Sequence, residues 1–184
     1  MSTSPYPIFN SYELRVQPTN TYFGQKDIQQ ALLLKRLTRD LLFQYPTPAG
    51  FHIITTVRDP LDNLALSSRN AYLSEKERKE AVALWEALKA AEKAWEGGEG
   101  KDACVSAAKR SVSERMLSED VQLKVDYIEF NDPDTFEPLP DSETKTKLMA
   151  REGKEAVVLS GAMWVGKTRL LDNLILGDVG MILA

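Results

Sequence analysis

Two hydroxyls, a guanidinium and an amide stand side by side at residues 67–70, between a short apolar run and a helix start. Ser67 and Ser68 offer O–H donors, and Arg69 offers a fork of N–H donors that matches phosphate oxygens. We therefore treat these three residues as candidate phosphate ligands. A turn in front of a capped helix would use the same residue types, so the motif alone leaves a purely structural interpretation open.

A second group of candidates surrounds Gly24, which stands directly before a predicted helix. The opening turn of that helix contains Lys26 and Asp27, and Gln30 lies one turn further along. Unpaired N–H groups and the positive end of the helix dipole favour an anion at such a position. Gly24 would let a planar group approach the backbone, and Lys26 can reach a phosphate. A simple helix cap accounts for the same residues, so this stretch is also ambiguous when taken alone.

A third candidate is GAMWVGKT, residues 161–168, which fits the Walker A pattern of P-loop nucleotide hydrolases. Only sixteen residues follow Thr168, and the spacer AMWV is bulky and apolar. P-loop domains also need a strand that ends in a magnesium-binding aspartate, and no convincing one is present. We expect a strand that turns at Gly166 into a surface helix, and we keep a P-loop hydrolase centred on Lys167 as an alternative.

The composition excludes several other kinds of site. With 23 Lys and Arg against 27 Asp and Glu, the net charge is −4, so no broad basic surface is available for nucleic acid or anionic lipid. Cys104 and His52 are single, which excludes an internal disulfide and a cysteine zinc site and leaves a Ser-His-Asp triad without support. No apolar run approaches the ~20 residues of a membrane span. We therefore expect a cytoplasmic protein with no membrane or nucleic-acid partner.

The apolar spacing predicts an α/β arrangement in residues 1–57. We predict a short strand at 13–16, a helix over 23–43 and a buried strand over 51–57. The order strand, helix, strand indicates a βαβ unit with parallel strands. The predicted apolar face of the helix consists of Ile28, Leu32, Leu33, Leu37, Leu41 and Leu42.

Residues 58–184 follow a different, α+β pattern. Ser74 and Glu77 have capping-box spacing at the start of a helix, which Gly97 and Gly98 end. Its predicted buried stripe consists of Ala81, Leu84, Trp85, Leu88 and Ala91. A second helix over about 103–117, strands over 121–130 and 155–164, and a short helix or final strand over 168–176 complete this predicted domain.

Three stretches occur in order and together resemble the pantothenate synthetases (pantoate–β-alanine ligases): TYFGQKDIQQ, VRDPLDNLALSSRNAYLS and GAMWVGKTRLLDN. The resemblance covers roughly residues 16–178. Asn63 replaces the family's usual glycine, at a turn position that asparagine tolerates. The family's usual ending accounts, without any P-loop, for Gly166, Thr168, Arg169, Asp172 and Asn173.

The resemblance implies the remnant of a Rossmann-like nucleotidyl-transferase domain followed by a small α+β domain. It implies an AMP-forming acid–amine ligase that uses ATP and Mg²⁺ to condense pantoate with β-alanine through a pantoyl adenylate. The family is commonly dimeric, so a homodimer is expected.

The resemblance also implies roles for individual residues. Val57 would border the adenine, Gln30 would hold pantoate, and no protein metal ligand is implied. The residues implied in catalysis are Lys26, Ser67, Ser68 and Arg69, because donors and cations stabilise the charge on the leaving pyrophosphate. We expect Lys26 and Arg69 to reach one nucleotide from opposite sides. The full implied set of ATP contacts is Gly24, Lys26, Asp27, Val57, Leu66, Ser67, Ser68 and Arg69.

The family's His-x-Gly-His segment is not found in this sequence, whose single histidine lies between Phe51 and Ile53. We expect His52 to be a packed or edge residue, and the chain to be a C-terminal portion of a longer enzyme, a truncation or the product of a misplaced start. Because parallel strands need neighbours, residues 13–57 should expose apolar side chains. The activity of this chain alone is left open, and a non-catalytic interaction module is the second alternative.

Overall fold

The computed structural model describes residues 15–115, 121–153 and 155–183. They form two compact units, one with the residues up to Thr55 and those from Gly180 onward, the other with Thr56–Val179. The division therefore lies two residues before the expected boundary at residue 57. The last short helix, α6 (Gly180–Leu183), groups with the first unit instead of the second.

The first unit is a βαβ unit, as predicted. Strands β1 (Thr21–Gly24) and β2 (Phe51–Ile54) are parallel, and a 3₁₀ turn (Gln25–Asp27) followed by helix α1 (Ile28–Asp40) connects them. The first strand was predicted too early: residues 13 and 14 lie outside the described part, and residues 15 and 16 are helical. The β-forming aromatic residues at 22 and 23 instead extend the chain and stack on the rings of β2.

The buried face of α1 differs from the predicted one. Leucines occur on several sides of this helix, so the apolar spacing did not select the correct face. Leu33, Leu41 and Leu42 are exposed, Leu42 by 88%. Tyr22 and Ile54 of the strands are also exposed, in line with the apolar exposure expected for this region. The buried positions follow one line along the helix and are Ile28, Ala31, Leu34 and Thr38.

The second unit is a three-stranded antiparallel sheet packed against two helices. The strand order is β3 (Leu123–Asn131), β4 (Ala156–Val165) and β5 (Thr168–Gly177). Helices α3 (Ala83–Glu96) and α4 (Lys101–Arg115) pack on each other and on the sheet. This is the expected α+β architecture. Residues 168–176, for which a short helix or a final strand was predicted, form a strand. Helix α5 (Lys145–Met149) lies in the connection between β3 and β4.

Most residues of the predicted buried stripe are buried, but the prediction that Trp85 is buried is wrong. Trp95 is buried instead, with its ring 5.2 Å from that of Phe130. Trp85 is only half-buried, at the edge of the core, and the guanidinium of Arg58 lies 3.7 Å from the centre of its ring. This distance is that of a cation–π contact.

The predicted capping box is present at the start of helix α2 (Glu75–Ala81). The Glu77 N–H donates to Ser74 Oγ at 3.3 Å, and the Ser74 N–H donates to Glu77 Oε2 at 2.8 Å. The hydrogen bonds from Ser74 hold the pKa of Glu77 below its usual value. The helix then breaks at Val82, so one predicted helix is two.

Cys104 is buried in α4, and burial raises the pKa of its thiol to about 11. None of the helices in the described ranges has the length and apolar character that a bilayer crossing requires.

Candidate functional site

The candidate phosphate loop begins as a small hairpin in the second unit. The Leu66 N–H donates to the Val57 carbonyl at 2.9 Å, and Arg58 forms a β-bridge with Ala65. The Asp59 N–H donates across the tip to the Leu64 carbonyl at 2.9 Å. Val57 and Leu66, both predicted to contact ATP, are therefore neighbours, with 64% and 52% of their surfaces exposed. Together they offer an open apolar surface.

The tip of the hairpin contains the substituted turn position. Asn63 has a φ of 60°, in the left-handed region that glycine adopts freely and asparagine tolerates. Its N–H donates to the Asp59 carbonyl at 2.8 Å. The expectation that asparagine fits the family's glycine position is thus confirmed by the backbone geometry.

Ser67, Ser68 and Arg69 follow the hairpin directly, at the start of a 3₁₀ turn (Ser68–Tyr72). Ser67 Oγ accepts the Arg69 N–H at 3.2 Å and so caps this turn. The Asn70 side chain donates to the Ala65 carbonyl at 3.0 Å, which ties the turn back to the hairpin. Ser67 is therefore compatible with both a structural and a ligand-binding role. Its hydroxyl oxygen caps the turn, while its O–H can still donate to a ligand.

Arg69 is an exposed cation with one long hydrogen bond, 3.4 Å from Nη1 to the Arg169 carbonyl. In the described parts of the chain, no carboxylate forms an ion pair with it. Arg169 differs, because its guanidinium donates to Asp126 at 2.7 and 2.9 Å. Arg69 is thus the cation at this turn that is ready to accept an anionic ligand.

Tyr127 of β3 lies below the Arg169 guanidinium, which is 5.9 Å from the ring centroid. Burial raises the pKa of the Tyr127 hydroxyl. This hydroxyl therefore stays protonated at neutral pH and adds no negative charge near the turn.

The residues predicted around Gly24 lie in the first unit, at the carboxyl end of the parallel strand pair. Gly24 ends β1 opposite Ile54 of β2, and a Cβ built on Gly24 would meet no atom within 4 Å. Ligands of open α/β sheets bind beyond the carboxyl ends of the strands. The open space above Gly24 fits its predicted role beside a planar ligand group.

Lys26 and Asp27 belong to the 3₁₀ turn, not to the first turn of α1 as predicted. The Lys26 ammonium lies 3.4 Å from the Asp27 carboxylate, and the Lys26 side chain is 22% exposed. Asp27 forms no side-chain cap on α1. Gln30 is exposed on the first turn of α1. A bound phosphate would have to compete with Asp27 for this ammonium.

His52 is an edge residue of β2, as expected. Its Nε2 lies 2.8 Å from Asn20 Oδ1, and its ring stacks on Tyr22 at 5.0 Å.

The P-loop alternative is wrong. Gly161 lies within β4, paired with Ile128 on one side and Asp172 on the other, so its backbone cannot surround a phosphate. Val165 pairs with Thr168, and Gly166 with Lys167 forms a tight hairpin turn into β5. A strand follows where a P-loop requires a helix. The predicted surface helix after Gly166 is wrong for the same reason.

Two charged residues that had no predicted role in the site contact the candidate loop. Both Arg58 and Asp172 lie in the second unit, and the Arg58 guanidinium donates two hydrogen bonds to the Asp172 carboxylate. The sequence signals were that Arg58 directly precedes the loop and that both residues lie in stretches that resemble the family. The partner of Arg58 is 114 positions away, which no local pattern reveals.

The nine predicted site residues thus fall into two groups, one in each unit. The expected convergence of Lys26 and Arg69 on one nucleotide joins the two groups and stays a prediction. Within the ranges that the structure covers, no group of three or more His, Cys, Asp or Glu side chains could hold a metal ion.

Comparison with known proteins gives a consistent result. A family model described as Pantoate-beta-alanine ligase matches residues 10–175. The pantothenate synthetase of Moorella thermoacetica is 41% identical over 161 residues, which are 88% of this chain and 50% of that protein. The chain therefore spans about half the length of the relatives that it matches.

Solved structures agree with this result. The crystal structure of pantothenate synthetase from Thermus thermophilus is 33% identical, with a TM-score of 0.72 over 91% of this chain and 53% of that one. A pantoate-beta-alanine ligase from Francisella tularensis, solved in complex with beta-gamma ATP and beta-alanine, shares the fold at 21% identity and a TM-score of 0.52.

Proposed function

Because this chain belongs to the pantoate–β-alanine ligase family, we propose that it carries the part of the site that holds ATP while pantoate is activated for condensation with β-alanine. The observation that carries the proposal is the arrangement at residues 57–69. There an exposed apolar pair, Val57 and Leu66, directly precedes two hydroxyls and an arginine that has no carboxylate partner among the described residues. An apolar surface suits a purine face, and the adjacent donors suit phosphate oxygens.

The proposed reaction has two steps. A carboxylate oxygen of pantoate attacks the α-phosphorus of ATP, the bond to the β-phosphate breaks, and pyrophosphate leaves. The amine nitrogen of β-alanine then attacks the acyl carbon, the bond to the AMP oxygen breaks, and the amine gives up a proton.

The residues of this chain would act mainly on charge and position. Arg69, with the hydroxyls of Ser67 and Ser68, would stabilise the negative charge that develops on the leaving pyrophosphate. Lys26 would neutralise phosphate charge from the first unit, and Asp27 would lie along the ATP. The open backbone at Gly24 would admit the nucleotide, and Gln30 would donate to pantoate.

Magnesium belongs to the same proposal. Mg²⁺ usually keeps several waters and binds through substrate phosphates with one or two carboxylates. We expect the ion to arrive with ATP, bound to its phosphates. A homodimer and a cytoplasmic location are further predictions from the sequence.

Nucleotide binding by the 184-residue chain tests the proposal. We expect ATP with Mg²⁺ to bind, and Arg69→Ala to weaken binding by roughly 10- to 100-fold, because a charge-assisted hydrogen bond contributes about 1.5–3 kcal/mol. Arg110→Ala is the matched control, since Arg110 is exposed on α4 outside the predicted site. Titration calorimetry measures the affinities, and pyrophosphate release with pantoate and β-alanine measures turnover.

The outcomes separate the candidate functions. Equal ATP affinity in Arg69→Ala and Arg110→Ala would reject the phosphate-binding role of the turn. A chain with no affinity for ATP and no nucleotide protection against heating would favour a non-catalytic module. Robust turnover by the chain alone would show that it needs no further residues for activity, a question that the sequence leaves open.

A further inference from the structure

We propose that Arg58 and Asp172 position the phosphate-binding turn, as a buried ion pair that fixes the hairpin from which Ser67, Ser68 and Arg69 project. The inference rests on the proposed function of that turn. Neither residue is assigned a contact with substrate, so both are positioning residues.

The ion pair has the geometry of a rigid connection. Arg58 Nη1 donates to Asp172 Oδ2 at 2.6 Å, and Nη2 donates to Oδ1 at 2.8 Å. The two side chains are only 17% and 5% exposed. Two parallel hydrogen bonds fix the plane of the guanidinium as well as its distance from the carboxylate.

Stability alone does not account for this pair. Removing two charges from water costs about as much as their attraction returns, so well-packed apolar residues of similar size often serve equally well. Asp172 faces Gly161 across the sheet, next to the helix-facing core, where an apolar residue would fit the surroundings. An ion pair at this place offers directional bonds, which apolar contacts do not.

The Arg58 guanidinium connects two elements, helix α3 and strand β5, to the hairpin. Its Nη1 also donates to the Asn63 carbonyl at the tip, at 3.2 Å, and its plane lies over Trp85 of α3. Asp172 belongs to β5, an edge strand of the sheet. One planar side chain thus orients the hairpin against both the helix and the strand behind it.

The hairpin in turn determines where the phosphate donors lie. Ala65 is the bridge partner of Arg58, and its carbonyl accepts a hydrogen bond from the Asn70 side chain. Residues 66–69 are therefore held at both ends. Two further ion pairs, from Arg78 to Asp59 at 2.8 Å and to Asp62 at 2.9 Å, hold the outer part of the hairpin. Loss of the Arg58–Asp172 pair should therefore free the base of the hairpin while the outer part stays attached.

The decisive variant replaces the pair by apolar residues, Arg58→Met together with Asp172→Leu. We expect the melting temperature to stay close to that of the parent chain, because the volume is filled and no charge is left unpaired. We expect amide hydrogen exchange over residues 58–70 to become roughly tenfold faster. Exchange of β4 and β5 should stay unchanged apart from Asn173, whose N–H loses its acceptor on Asp172. Affinity for ATP with Mg²⁺ should fall by about fivefold or more, because a mobile turn pays an ordering cost on binding.

A matched control removes another ion pair with a buried carboxylate. Arg151 donates to Glu143 at 2.6 Å, and the Glu143 side chain is 1% exposed. The double variant Arg151→Met with Glu143→Leu should leave exchange over 58–70 and ATP affinity as in the parent. If the apolar variant at 58 and 172 does not fold, Arg58→Lys replaces it, since lysine keeps the charge and loses the bidentate fork.

Parent-like exchange over residues 58–70 in the decisive variant would overturn the inference. Faster exchange with unchanged ATP affinity would overturn it as well, since the pair would then order the hairpin without serving the ligand. A parent chain that does not bind ATP would instead reject the proposed function. In that case the exchange data alone decide whether the pair orders the turn.

Discussion

Arg69 and Arg58 have different surroundings, although both are arginines beside the same loop. Arg58 is held by a carboxylate and an indole, whereas Arg69 is exposed and has one long bond to a carbonyl. The residue types at 67–69 were sufficient to predict candidate phosphate ligands. Which arginine is free to bind an anion depends on carboxylates that only the folded chain brings near.

Asn63 gives a test at the scale of one residue. Its φ of 60° is accessible to glycine and asparagine but costs a β-branched residue about 1–2 kcal/mol. We expect Asn63→Val to destabilise the chain by about that amount, and Asn63→Gly, the matched control, to stay within ~0.5 kcal/mol. Urea unfolding measures both; equal midpoints for the two variants would show that the turn does not impose this conformation.

At the scale of elements, β4 contains most of the segment that matches the Walker A pattern, yet its glycines serve packing and a turn instead of phosphate binding. Gly161 lies in the middle of the sheet, where a Cβ would come 3.1 Å from Leu84 Cδ1 and 3.3 Å from Leu88 Cδ2. The glycine therefore permits α3 to pack closely on the strand. Gly166 has a φ of 56° in the hairpin turn, and the space for its Cβ is occupied by the Glu77 carboxylate.

Replacement of Gly161 tests this packing role. We expect Gly161→Ala to destabilise the chain by about 1–3 kcal/mol through overpacking against the two leucines, without a change in ATP affinity. Lys167→Ala, in the adjacent turn, should change neither the melting temperature nor the affinity. A loss of ATP binding in Lys167→Ala would instead support the P-loop that the strand geometry excludes.

At the scale of the whole molecule, the two units differ in how much apolar surface they bury. The second unit has a continuous core that runs from α3 and α4 to all three strands of its sheet. In its described residues the first unit has two short strands, and it leaves Tyr22, Leu41, Leu42 and Ile54 exposed. A two-stranded sheet with one main helix has a small core and correspondingly small stability.

Limited proteolysis tests this difference. We expect trypsin to cut first in the first unit, at exposed sites such as Arg36 and Arg39 of α1, while fragments that contain residues 56–179 persist. Mass spectrometry of a time course identifies the cuts, and the same digestion in urea provides the control, in which both units should be cut together. Similar rates of cleavage in the two units of the native chain would show that the units are equally stable.

Local patterns in the sequence determined the features that depend on near neighbours. The capping box at Ser74 involves a spacing of three residues, which the backbone geometry of a helix start dictates. The parallel crossover followed from the order strand, helix, strand. The phosphate-binding role of residues 67–69 stays a prediction. The tertiary structure alone decided the rest: which face of α1 is buried, that residues 168–176 pair as a strand with β4, and that Arg58 meets Asp172. These outcomes depend on partners far away in the chain, and an apolar or charged side chain does not specify its partner until packing brings one within reach.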